Sequence, residues 1–178
     1  MKKIKYPLVG FPFSESDMSS GRKILSTKKI ITMSKVTRDF EKKFAKYLGV
    51  KYALMVNSGS SANLLAFFAL INPKFKKRLK PNSECIIPAI CWSTSLWPIV
   101  QAGLKPKFVD VDLKTFNIDL EDLKKKITKK TKAVLAVHVL GNSTNMNELK
   151  KIINKKKLIL VEDTCESLGS KYANKKFL

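Results

Sequence analysis

The chain has 178 residues, an apolar share of 44% and a formal charge of +21. That length supports one domain with a sizeable core. No run of about eighteen apolar residues occurs, so no segment reads as a membrane-spanning helix. The charge is carried almost wholly by lysine, because only Arg22, Arg38 and Arg78 are arginine. Base readout and bidentate phosphate contacts favour arginine, and the lysines are scattered over helices and turns. We therefore expect a solvated basic surface with no nucleic-acid and no membrane partner. Cys85, Cys91 and Cys165 form no CxxC pair and His138 is the single histidine, so ligand spacing for a metal is missing and the thiols read as free. The N-terminus starts basic, but its apolar stretch is short and interrupted by prolines. It reads as mature protein, which suggests the cytoplasm.

In chain order, residues 1–30 show weak periodicity and read as an N-terminal arm, mobile or contacting a partner. Ser34 to Leu48 is predicted helical, with Val36, Phe40 and Phe44 at four-residue steps and Gly49 closing it. Tyr52 to Val56 is an apolar run of strand length, followed by the turn Ser58-Gly59-Ser60-Ser61. Ala62 to Ile71 is apolar almost all round and predicts a buried helix. Glu84 to Pro88 is a predicted strand. Thr94 to Ala102 is a predicted helix with Pro98 as a distortion. Lys107 to Val111 is strand-like. Asp119 to Ile127 is a helix with an acidic start and a basic end, matching its dipole. Ala133 to Val139 predicts a strand, Met146 to Ile153 a helix and Leu158 to Val161 a strand. Strands alternating with helices argue for an α/β fold with a mostly parallel sheet and helices on both faces. Ligands of such sheets bind where strands end and helices begin.

Three such loops stand out. In 56-VNSGSSANLLAFFAL-70, Gly59 would allow a tight turn, and free amides at the helix start with the Ser60 and Ser61 hydroxyls would bind an anion such as a phosphate monoester. The alternative is a serine-capped helix with no ligand. In 88-PAICWSTS-95, Trp92 is either a stacking platform for a flat heterocycle or a core tryptophan. In 161-VEDTCESLGS-170, Asp163 either pairs with a protonated ring nitrogen, whose charge a neighbouring carboxylate favours, or caps a helix. Glu166 follows one helical turn later, on the same side. A phosphate cup, a stacking ring and an acid for a ring nitrogen are together what pyridoxal phosphate requires.

The stretches 40-FEKKFAKYLGVKYALMVNSGSSANLLA-66, 102-AGLKPKFVDVDLKTFNID-119, 137-VHVLGN-142 and 161-VEDTCESLGS-170, in this order, resemble the DegT/DnrJ/StrS-type family of pyridoxal-phosphate enzymes that act on nucleotide-linked keto-sugars. The resemblance runs from about Thr32 to the end. It implies the large domain of fold-type I transferases, truncated, over residues 31–178, with pyridoxal 5'-phosphate or pyridoxamine 5'-phosphate as cofactor. It also implies that Gly59, Ser60 and Ser61 hold the phosphate, that Trp92 stacks on the ring, and that Asp163, with Glu166 near it, binds the ring as the catalytic acid partner. Most members are aminotransferases with a cofactor-bonding lysine downstream of the aligned region. A smaller branch has histidine there and consists of sugar 3-dehydratases that use the pyridoxamine form. NSGSSANLL resembles that branch more than the GTAAL-like run of aminotransferases, and Glu166 stands where aminotransferases usually carry Gln or His. The expected function is thus 3-dehydration of a nucleotide-linked 4-keto-6-deoxy sugar in deoxysugar biosynthesis, by an enzyme that is a homodimer when complete. The alternatives are a nucleotide-sugar aminotransferase, or a non-catalytic module or basic nucleic-acid binder. The family's catalytic Lys or His and its small C-terminal domain are expected beyond Leu178, and His138 reads as structural.

Overall fold

A computed structural model describes residues 12–27, 31–32, 34–173 and 175–176. Residues 1–11 and 28–30 of the expected arm lie outside the described residues. The chain divides into two compact units, Met1–Met55 and Val56–Leu178.

The first unit holds two helices. Helix α1, Glu15–Leu25, was not expected from periodicity, and it buries none of its residues. It starts on a reciprocal cap: Ser14 Oγ accepts from the Asp17 amide at 3.2 Å and Asp17 Oδ2 accepts from the Ser14 amide at 2.8 Å. Local capping, not a buried stripe, specifies where it begins. Helix α2, Lys35–Leu48, ends at Gly49 in the left-handed region, φ +73°. The four-residue spacing stacks Phe40 on Phe44, with centroids 5.4 Å apart. The strand expected at Tyr52 to Val56 does not form. Its residue Met55 instead gives its amide to Glu41 Oε1 at 2.8 Å, and Tyr52 is 77% exposed. An apolar run becomes a strand only where a neighbour supplies a ladder.

The second unit is a four-stranded parallel sheet in the order β2-β1-β3-β4. The strands are β1 (Glu84–Pro88), β2 (Lys105–Val109), β3 (Thr131–Val137) and β4 (Ile159–Asp163). Around them pack α3 (Gly59–Ile71), α4 (Ser93–Gln101), α5 (Leu120–Lys126) and α6 (Met146–Lys156). A short antiparallel pair, β5 (Lys171–Tyr172) with β6 (Lys175–Lys176), follows. Strand alternation divides the core in two. Cys85, Ile87, Ala133 and Leu135 face α3 and α4 through Phe67 and Ile99, while Ile86, Val134 and Ala136 face α5 and α6 through Leu123 and Leu149. Burial pushes the Cys85 thiol up to about 12, so it behaves as a small apolar side chain.

Two expectations need correction here. Helix α3 buries only Phe67 completely, and Leu65 and Phe68 stay about half exposed. Apolarity around a whole circumference does not say which side a sheet covers. Gly59 does not sit in the left-handed region; it is the first residue of α3, and the turn before it needs no glycine conformation. Pro98 lies inside α4 without ending it. The chain leaves β1 for β2 on one side and reaches β3 on the other, so a crevice opens between the C-terminal ends of β1 and β3.

Candidate functional site

A cleft of about 510 Å³ lies at that end of the sheet, within the range usual for small-molecule sites, roughly 300–1,000 Å³. Five of the six residues singled out in the sequence line it: Gly59, Ser60, Trp92, Asp163 and Glu166. Ser61 does not. Its amide donates to Ser58 Oγ at 3.1 Å, and its hydroxyl takes a hydrogen bond from the same oxygen at 3.2 Å. Ser58 therefore caps α3, and Ser60, one residue into the helix, turns to the cleft and donates to Thr94 Oγ1 at 3.1 Å. Trp92 is 76% exposed, which removes the core-tryptophan alternative. It holds the position before α4, where backbone φ/ψ is extended and no side-chain cap forms.

Asp163 is the last residue of β4, paired with Val137 of β3. Its carboxylate is bound from three directions. Asn63 Nδ2 donates to Oδ2 at 2.8 Å, Ser95 Oγ donates to the same oxygen at 2.9 Å, and the Cys165 amide donates to Oδ1 at 3.2 Å. The strand end behind it is pinned as well. The His138 amide donates to the Asp163 carbonyl at 3.1 Å. The fully buried His138 ring accepts from the Thr144 amide on Nδ1 at 3.2 Å, which puts its proton on Nε2 facing Glu162 Oε2 at 3.0 Å. Glu166 accepts from the Leu140 amide at 2.6 Å, and Leu140 and Gly141 both hold positive φ, 53° and 81°. Ser170 Oγ closes that turn onto the Gly141 carbonyl at 2.8 Å.

The cleft is acidic although the protein is strongly basic: none of the described residues lining it is lysine or arginine. Burial, and next the negative charge of Asp163, push the Cys91 thiol above its ordinary value, so it stays protonated at neutral pH. Among the described residues no group of three or more His, Cys, Asp or Glu is arranged to hold a metal ion. Asn63 and Ser95 were not picked out from the sequence. They approach Asp163 across separations of 100 and 68 residues, and no local spacing announces them.

The GDP-4-keto-6-deoxy-D-mannose 3-dehydratase of Escherichia coli O55:H7 is 46% identical over 172 residues, covering 97% of this chain and 44% of that protein. A crystal structure of GDP-4-keto-6-deoxymannose-3-dehydratase with a trapped PLP-glutamate geminal diamine matches with a TM-score of 0.91 at 45% identity, over 97% of this chain and 44% of that one. The E. coli enzyme with bound hydrated PLP matches with a TM-score of 0.90 at 44% identity, with the same coverage. The chain thus spans less than half the length of these relatives, and its fold is that of the PLP enzymes they represent. The family model for DegT/DnrJ/EryC1/StrS aminotransferases matches residues 13–177, nearly the whole chain, and the chain belongs to that family.

Proposed function

We propose that this chain forms the cofactor-anchoring part of a pyridoxamine- or pyridoxal-phosphate enzyme that removes the 3-hydroxyl of a nucleotide-linked 4-keto-6-deoxy sugar. GDP-4-keto-6-deoxymannose is the substrate suggested by the relatives' names. One observation carries the reading. An acid at a strand end, with its carboxylate held in place, shares a cleft with an exposed tryptophan and the start of a helix.

The residues present fit the cofactor. A carboxylate has about four acceptor positions; three on Asp163 are filled by described protein donors, leaving one for a ring N–H. A Cβ at Gly59 would meet nothing within 4 Å, so the backbone at the start of α3 is bare towards the cleft, as a phosphate near helix amides requires. Asp163 would hold the ring nitrogen, Trp92 would cover a ring face, and Ser60 with the α3 amides would take the phosphate. Ser61, whose amide is held by Ser58 Oγ and which does not line the cleft, would take no direct part. When bound, the cofactor supplies an amine conjugated to an electron-withdrawing ring. Asp163 keeps that ring's nitrogen protonated, because a carboxylate in contact favours the charged form. Glu166, fixed by the Leu140 amide, lines the same cleft and would stand near the bound ring. Residues 31–178 act as the large domain in this reading and residues 1–30 as an arm, and the working enzyme is a homodimer.

The test is to incubate the chain, and any longer product of the same gene, with pyridoxamine phosphate and GDP-4-keto-6-deoxymannose. Loss of the 3-hydroxyl without transfer of nitrogen to the sugar supports the reading. An amino-sugar product would instead make the protein a transaminase. Light scattering of the active species at the mass of a single chain would exclude the dimer.

A further inference from the structure

We infer that Asn63 and Ser95 are positioning residues that select which oxygen of Asp163 meets the ligand and limit that ligand to a single N–H donor. The inference deepens the function proposed above and rests on it for the identity of the ligand.

Asn63 lies in the second turn of α3, Ser95 at the start of α4 and Asp163 at the end of β4. A brace serving only to tie these elements together would be satisfied by one donor on each carboxylate oxygen. Here both side chains donate to Oδ2, at 2.8 Å and 2.9 Å. Two donors fill the two acceptor directions of one sp² oxygen. Ser95 is only 1% exposed, and a buried hydroxyl without a partner is costly, so its donation to Asp163 is strongly held. Oδ1 has one described protein donor, the Cys165 amide at 3.2 Å. The remaining acceptor direction therefore belongs to Oδ1.

Guanidinium and amidinium groups bind carboxylates through two parallel N–H bonds, one to each oxygen. With Oδ2 saturated, that fork has no second acceptor. A ring nitrogen carrying one proton needs only Oδ1. The pair of donors thus presents Asp163 as a receptor for one N–H and disfavours cations that bind through two.

The experiment compares two ligands on the full chain. One is pyridoxal phosphate; the other is its analogue with the ring nitrogen replaced by C–H. Affinities are measured by absorbance and fluorescence titration for wild type, Ser95→Ala and Asn63→Ala. Wild type is expected to prefer pyridoxal phosphate by roughly tenfold to a hundredfold, the worth of one charge-assisted hydrogen bond. Each substitution is expected to pull that ratio towards one and leave affinity for the carbon analogue within about threefold of wild type, because the change acts through the ring nitrogen. If the substitutions weaken both ligands by the same factor, Asn63 and Ser95 only support the fold and the inference is wrong, while the cofactor reading stands. If wild type does not prefer pyridoxal phosphate, or binds neither ligand, the cofactor reading fails and the inference falls with it. Should an alanine variant unfold, Ser95→Cys, nearly the same in volume but a weak donor, is measured in its place, and an unchanged ratio there overturns the inference.

Discussion

Gly59→Ala separates a glycine kept for the backbone from one kept for a ligand. Gly59 opens α3 and is not in the left-handed region, and an added Cβ would meet no atom within 4 Å. Neither strain nor collision therefore opposes alanine. Alanine also restricts the unfolded chain more than glycine does, which is worth about 0.4–1 kcal/mol where the native conformation is compatible. For a chain of this size that raises the unfolding midpoint by about 1–4 °C. The open space that makes the substitution harmless to the fold lies at the cleft, where the phosphate is proposed to sit against bare amides. A methyl group there should weaken pyridoxal phosphate by about tenfold or more, the loss of one charge-assisted contact. Thermal unfolding by circular dichroism and a cofactor titration read the two effects separately. A lower midpoint would refute the backbone argument, and an unchanged affinity would mean that the phosphate does not approach Gly59.

Asp163→Asn should keep the unfolding free energy within about 1 kcal/mol of wild type, since one amide oxygen can still accept from Asn63 and Ser95, yet lower pyridoxal-phosphate affinity by about tenfold or more; equal affinity would remove Asp163 from the site. Leu149→Ala, at a fully buried position of α6, should cost about 2–5 kcal/mol in urea unfolding, and a smaller loss would mean that the α5–α6 face is loosely packed. The Thr128 hydroxyl, with help from Thr131 and Lys107, holds the Glu84 carboxyl below its ordinary value against the opposing effect of burial. A depressed carboxyl contributes stability above its unfolded value and loses it as pH falls through the folded one. Wild type should therefore lose more stability than Glu84→Gln when the pH drops from about 6 to about 3, and parallel curves would show that Glu84 is not linked to folding.

What could be read from the sequence depended on whether the signal was local. The Phe40–Phe44 step, the acidic start of α5 and the alternation of strands with helices are local patterns, and each corresponds to an element in the structure. Helix α1 was also locally encoded, by Ser14 and Asp17, but periodicity does not register a helix that buries nothing. The reading of Tyr52 to Val56 failed because apolarity without a ladder partner is not a strand. The reading of α3 failed because the almost all-round apolarity of Ala62 to Ile71 carries no facing information. At the cleft, Asp163 was conspicuous as an acid ending an apolar strand. Asn63 and Ser95 were not, because each looks like an ordinary polar residue near a helix start until the fold brings it within 3 Å of that acid.

The polar groups of the cleft share a property that bears on how it would bind. Asp163 is held by Asn63, Ser95 and the Cys165 amide, and Glu166 by the Leu140 amide. Each acid is fixed by a donor from another segment, so its orientation does not wait for a ligand. Fixing a side chain in advance removes an ordering cost of about 0.5–1.5 kcal/mol each from the binding step, and it is the fold that bears that cost instead. The left-handed turn at Leu140 and Gly141 fits the same account. It directs the Leu140 amide at Glu166 and is closed by Ser170 onto the Gly141 carbonyl. Trp92 is the exception, since it is exposed and makes no capping contact. In a cleft whose acids are already oriented, it is the element whose order a bound ring would change most.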